Sequence, residues 1–464
     1  RIAMNKICNG LLILLTTGFT SVSHAANFSM PEYQQFTLSN GLTIYMMEQK
    51  EVPLIDVSII VKAGSVRDGN ASGLSQITAD TLLLGTEKLN KQQFEQELDF
   101  LGAQISSDAS TEFSQMSLSM AAKDAKLLLP LLYDAVALPA FDEQQFENHK
   151  SRYNAGLAQQ QESPSAMIKG YFDALLYQGH PYANNHNGTV TTVEAISLDK
   201  VKAFHAKWYN PDNSALVVVG DFDSKKIRNQ IAKLFGSWKG KTPSSVTPAL
   251  PQKEREAQVL LVNKGDAKES TFMIGGPGIR YSNPDFTAVS VVNTILGGRF
   301  TSWLNSELRV NSGLTYGARS RFDAKQLGGG FYISSFTQTA TTTEAIDLAI
   351  DTYQRLWLQG IDKATLESAK SYVKGQFPPN YETSSQLSGL LSRMFIYGFD
   401  ESFINTFARQ VNQLNEEGVK QIIEKYFPKE SLQFVVIGKS DDIRDKVKKY
   451  GKLIETDIKA EFAL

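Results

Sequence analysis

Thiols are nearly missing from this sequence. Its 464 residues contain one cysteine, Cys8, which sits in an apolar stretch at the N-terminus. Without cysteine pairs there is no disulfide framework and no thiolate cluster to hold a metal. Histidine is scarce too, with five residues in all, so few imidazoles remain from which to build a metal site. Charge of one sign is also lacking: Lys and Arg total 47 against 49 Asp and Glu, a formal net charge of −2. That balance gives no electrostatic reason to expect nucleic acid or a membrane surface as partner. The cluster "DKVKKYGK" near the C-terminus reads as a solvated helix face. No G-x-S-x-G nucleophile motif occurs, which leaves a hydrolase of that kind without support.

What is present fits a soluble globular protein, 42% hydrophobic and 21% charged, too long for one compact core. Lys6, the apolar run "GLLILL" and the small residues of "TSVSHAAN" have the form of a secretory signal peptide. The run is too short to span a bilayer comfortably. Residues 1–25 are therefore expected to be the signal peptide, an uncleaved anchor being the alternative, with "RIA" upstream of the true start at Met4. Cleavage after Ala25 would remove Cys8, and a bacterial periplasm is the expected address, with no membrane attachment afterwards.

The remaining chain repeats itself. "HAKWYNPDNSALVVVGDFDSKKIRNQIAKLFGSW" and "IIEKYFPKESLQFVVIGKSDDIRDKVKKYGKL" share an order: helix, turn, buried strand, acidic turn, helix. Gly220 and Gly438 would then be equivalent. Between the copies, "KGKTPSSVTPALPQKERE" is rich in Pro, Ser, Thr and charge, as linkers are. The expected division is an N-terminal domain over 26–238, a linker over 239–256 and a C-terminal domain over 257–464. Strands such as "GLTIYMMEQ", "PLIDVSIIVKAGS" and "FSQMSLSMA" mix with amphipathic helices without strict alternation. The fold class expected is α+β: two homologous domains, each a mainly antiparallel sheet covered by helices, related by duplication.

One helix, expected from about Ser72 to Leu84, contains the string "GLSQITADTLLLGT". It resembles the zinc helix of the pitrilysin/insulinase metallopeptidases, whose motif is H-x-x-E-H. In that family two histidines at i and i+4 bind zinc, and the glutamate between them activates water. Here those positions hold Gln76, Ala79 and Asp80. The family's third ligand, a glutamate on a later helix, falls in "SRYNAGLAQQQ", and no Glu lies between Glu147 and Glu162. A neutral amide and one carboxylate are weak zinc ligands. A hydrogen-bonded Gln–Asp pair at i, i+4 is the plainer expectation. His180 and His186 look like loop residues, and His149 and His205 belong to polar helical contexts. No metal is expected in this chain.

The second half differs. "LGGRFTSWLNSELRVNSGLTYGARS", Leu296 to Ser320, resembles the same family's C-terminal-domain signature: a Gly-Gly turn, an apolar helix, an arginine, Gly-Leu, then a tyrosine. The arginine is Arg309 and the tyrosine Tyr316. The resemblance implies that both reach across to the zinc site, the guanidinium anchoring substrate carbonyls and the phenol donating to the oxyanion. Taken alone, Arg309 could be a surface ion pair and Tyr316 a strand residue packed on a core. "QLGGGFY", Gln326 to Tyr332, is expected to be a hairpin turn rather than a phosphate loop.

This divided pattern resembles the subgroup in which two different chains form one peptidase. The resemblance implies a zinc-free subunit contributing Arg309 and Tyr316, a homologous zinc-bearing partner, and extended peptides as substrate. The rival expectation is a non-enzymatic peptide-holding chaperone or scaffold built on a decayed peptidase fold.

Overall fold

The computed structural model describes residues 28–244, 249–251 and 256–460. The expected signal peptide, with Cys8, lies outside the described residues, as does part of the expected linker. Among the described residues no helix is long and apolar enough to cross a membrane.

Two six-stranded sheets organise the chain. The first contains β1 (Gln34–Thr37), β2 (Thr43–Glu48), β3 (Leu54–Val61), β4 (Gln104–Ala109), β5 (Ser114–Ala121) and β6 (Ser214–Gly220), in the order β1-β2-β6-β3-β5-β4. The second contains β7 (Gln258–Asn263), β8 (Glu269–Pro277), β9 (Ala318–Asp323), β10 (Gly330–Gln338), β11 (Gln433–Gly438) and β12 (Lys452–Asp457), in the order β12-β7-β11-β8-β10-β9. Five positions match one for one, which is the duplication. The outer strand differs: β1 precedes its neighbour in sequence and runs antiparallel to it, whereas β12 comes from the far end of the chain and runs parallel. Both sheets are mixed and mainly antiparallel, the parallel pairs being β2 with β6 and β7 with β11 and β12.

Residue pattern explains which strands sit centrally. "SALVVVG" and "QFVVIG" are buried at every position, as strands covered on both faces must be. In β6, Leu216 and Val218 join one core while Ala215, Val217 and Val219 join another. β5 alternates buried and half-buried residues along its length. Gly220 and Gly438 both end their strands, paired in parallel with Glu48 and Asn263. Gly220 has φ 144°, and a Cβ there would lie 2.2 Å from the Leu54 carbonyl oxygen, so a side chain is excluded.

The halves exchange helices. Helix Pro164–Leu176, from the first half, packs Tyr171, Phe172 and Leu175 against Val435 and Met273 of the second sheet. Helix Ser384–Tyr397, from the second half, covers the outer face of the first sheet, and the Ser388 and Ser58 hydroxyls meet there at 3.1 Å. Each fully buried side chain of this size stabilises by roughly 1.5–3 kcal/mol, so the exchange binds the halves into one unit. Charge reinforces the seam: Lys169 bridges Asp173 of its own helix and Asp323 of β9, and Lys325 also pairs with Asp323. Burial alone would raise the Asp323 carboxyl, but Lys325 and Lys169 outweigh it and hold it at about 2. The hairpin loop after β9 docks on the first half, where Glu112 accepts from the Tyr182 hydroxyl and from the Gln326 N–H.

Candidate functional site

The helix carrying the altered zinc motif spans Leu74–Thr81, shorter at both ends than the sequence pattern suggests. It begins late because Gly73, at φ 93°, turns the chain in a left-handed conformation, and a Cβ there would crowd Gly188 at 3.0 Å. Past Thr81 the bonds Leu83 N–H to Asp80 and Leu84 N–H to Thr81 tighten it into a turn. Asp68 anchors the start, its two oxygens accepting from the Gly73 and Ser75 N–H groups at 2.9 Å each. Burial pushes that carboxyl up to about 7, against the opposing pull of those bonds.

Where the family has ligands, this chain has a closed hydrogen-bond chain. The Gln76 amide donates to Asp80 Oδ1 at 2.8 Å, the predicted i, i+4 pair, and Gln76 Oε1 accepts the Ala109 N–H at 2.9 Å. The other Asp80 oxygen meets His149 Nε2 at 3.0 Å. His149 lies on helix Glu143–Gln160, the helix where the family's third ligand would fall. Ala79 is fully buried. The Gln76 amide and both Asp80 oxygens are therefore committed to protein, and the residues at the three aligned positions do not fit a zinc ion. Among the described residues no group of three or more His, Cys, Asp or Glu is placed to hold a metal. Asp108, close by, has its carboxyl raised by burial and then by the Asp80 charge, with His186 opposing.

Sequence reasoning missed the Asp80–His149 contact, since nothing in the spacing signals it. It also misjudged His205. That residue is not in a polar context: it is buried, its Nε2 lies 2.8 Å from the Val136 carbonyl oxygen, and its ring stacks on Tyr209 at 4.9 Å. Burial lowers its pKa, keeping it neutral as a donor. His180 is a loop residue as expected, with Nδ1 accepting the Tyr182 N–H at 3.0 Å.

The Arg/Tyr segment is built differently. Helix Phe286–Asn293 widens into a π-wound turn over Thr294–Gly298, and a short turn at Trp303–Asn305 widens again over Ser306–Asn311. The Ser312 N–H bonding back to the Glu307 carbonyl at 3.1 Å shows the extra residue per turn. Such widened turns re-aim side chains and are frequent at functional sites. Arg309 sits in the second of them and is exposed. Its guanidinium lies over the Phe300 ring at 4.8 Å. The adjacent carboxylate, Glu307, is engaged instead by Arg355 at 2.8 Å and Asn311 at 3.0 Å. Tyr316 is 82% exposed, touching Phe336 with ring centroids 6.4 Å apart. Leu308 ties the two together, its carbonyl accepting the N–H groups of Leu314 and Thr315. Neither plain alternative holds: Arg309 is not in an ion pair among the described residues, and Tyr316 packs on no core. Phe300, 67% exposed, is a further member of the cluster that sequence reasoning did not single out. "QLGGGFY" forms the β9–β10 hairpin connection as predicted.

Residues 45–190 match the model described as insulinase (peptidase family M16), and residues 195–373 match the peptidase M16 inactive domain. The chain is 24% identical over 390 residues to "Non-peptidase homolog YmxG" of Helicobacter pylori, covering 82% of this chain and 88% of that protein. It is also 24% identical over 431 residues to "Zinc protease PqqE" of the same organism, covering 90% and 95%. Among solved structures, it is similar to a peptidase M16 inactive domain from Pseudomonas fluorescens, with TM-score 0.82 and 28% identity, covering 88% of this chain and 98% of that one.

Proposed function

This chain belongs to the insulinase family, peptidase family M16, and on that premise we propose that it is the zinc-free subunit of a two-chain periplasmic metallopeptidase. The zinc sits on a homologous partner chain, and the substrate is an extended, unfolded peptide. One contrast supports this reading above all. Gln76 and Asp80 are engaged by protein groups, while Arg309 and Tyr316 stand exposed against aromatic rings, with no ion pair at Arg309 among the described residues. That a single organism has both a relative named a non-peptidase homolog and one named a zinc protease fits a division of labour.

The chemistry follows from the donors. The Arg309 guanidinium offers paired N–H groups to the carbonyl oxygens of a bound peptide, fixing it in place. The Tyr316 hydroxyl donates a hydrogen bond to the oxyanion as the scissile carbonyl is attacked, an interaction that strengthens toward the transition state. β4 and β9 end their sheets with one edge unpaired, and an extended peptide recognises such an edge by adding as a further strand.

The test is reconstitution. This chain alone, dialysed, should contain no stoichiometric zinc and leave a quenched peptide intact. Adding a family member with H-x-x-E-H intact should switch cleavage on, saturating at equal amounts of the two chains. A partner that is equally active without this chain would overturn the proposal. Peptide retention by this chain without any gain in cleavage would favour the chaperone or scaffold reading.

A further inference from the structure

The strand that follows Tyr316 carries two more arginines. Along β9, Ala318 and Ser320 are buried while Arg319 and Arg321 are exposed. Arg319 lies opposite Ser334 of β10, and Arg321 opposite Tyr332. Phe336, two residues further along that face of β10, is the residue on which the Tyr316 ring rests. Tyr316, Arg319 and Arg321 therefore follow one another along a single face of the sheet. Arg309 stands at its head, because the Thr315 N–H bonds back to Leu308 at 3.2 Å.

The carboxylates beside this face are already engaged. Asp323 is held by Lys325 and by Lys169 at 3.1 Å, Asp173 by Lys169, and Glu307 by Arg355. Among the described residues none pairs with Arg309, Arg319 or Arg321. The result is a row of uncompensated positive charge on an edge strand, in a chain whose overall charge is close to neutral.

We propose that Arg319 and Arg321 form a subsite for the acidic side chains of an extended peptide. Side chains of an extended peptide return to one face every second residue, about 6.6–7 Å apart, the same period as the two arginines. Carboxylates at alternate peptide positions thus meet both guanidinium groups at once. The proposal rests on the peptide-binding reading of the Arg309–Tyr316 face and adds a substrate class to it.

Two labelled peptides test it, one with Glu and one with Gln at alternate positions, titrated against this chain by fluorescence anisotropy. At low salt the Glu peptide should bind about two- to tenfold more tightly, the range that two exposed ion pairs give. That preference should fade at high salt and disappear in the Arg319→Gln/Arg321→Gln variant, whose melting temperature should stay unchanged. Equal binding of the two peptides, or binding of neither, overturns the subsite. So does a double variant that keeps the preference but no longer assembles with the zinc-bearing chain, which would make this face a subunit interface. Reconstituted cleavage that depends on Tyr316 but shows no acidic preference would sink the subsite alone. An acidic preference without reconstituted cleavage would sink the proposed function and leave the subsite standing.

Discussion

The Leu74–Thr81 helix and the Ser306–Tyr316 segment are the two stretches that resemble one family's motifs, and their side chains are engaged in opposite ways. In the first, each altered side chain has found a partner: Gln76 with Ala109 and Asp80, Asp80 with His149. In the second, Arg309 and Tyr316, the residue types that the resemblance leads one to expect, rest against aromatic rings, and Arg309 has no ion pair among the described residues. Buried polar groups must be satisfied, so a site that loses its metal closes on itself. Exposed groups carry no such demand, and their retention without internal partners points outward to a ligand. A substitution in the first region should therefore act on stability, and one in the second on catalysis.

The largest effect expected from this contrast, apart from the tyrosine taken up last, is at Arg309. Arg309→Ala should raise KM of the reconstituted pair roughly ten- to hundredfold, as removal of a charge-assisted hydrogen bond does. The melting temperature should not move, because the side chain is exposed. A stability loss with unchanged KM would put Arg309 in the structural class and break the comparison.

At the former metal position the expectation reverses. Asp80→Ala strands both the Gln76 amide and His149, and should cost about 1–2 kcal/mol of stability by denaturant unfolding. Cleavage by the reconstituted pair should be unaffected at temperatures where the variant is folded. Lost activity without lost stability would mean that this pocket still serves the reaction.

Smallest is the effect at the seam. Asp323 titrates near 2 in the folded chain and at the usual carboxylate value of about 3.8 when unfolded. Its contribution is present above pH ~4 and is lost as pH falls toward 2. The side chain is 35% exposed, so solvent screening limits the loss to the order of 1 kcal/mol. Asp323→Asn should flatten acid unfolding in that window, measured by circular dichroism. An unchanged acid transition would show that the exchanged helices alone hold the halves together.

Much of this was legible in the sequence, for identifiable reasons. The repeated strand and helix order, the buried "VVVG" and "VVIG" strands and the Gln76–Asp80 pair all follow from periodicity and local spacing. The widened turns around Leu296 and Arg309 did not show, because an inserted residue leaves the apolar pattern almost intact. Exchange of helices between the halves was equally hidden. The apolar faces of Pro164–Leu176 and Ser384–Tyr397 look alike whichever sheet they cover. His149 lies far in sequence from Asp80, and Phe300, though inside the Leu296–Ser320 string, holds none of its signature positions, so only the folded chain brings them to their partners.

The central claim is that this chain supplies a catalytic donor to a site completed by another chain. Turnover of the reconstituted pair with Tyr316→Phe tests it most directly, since only a hydroxyl is removed and the ring remains to rest on Phe336. The expected result is a fall of about a hundred- to a thousandfold in kcat, equivalent to about 3 to 4 kcal/mol, with assembly and melting temperature unchanged. Near-full turnover from a pair that still requires this chain would contradict the account and leave the chain a scaffold.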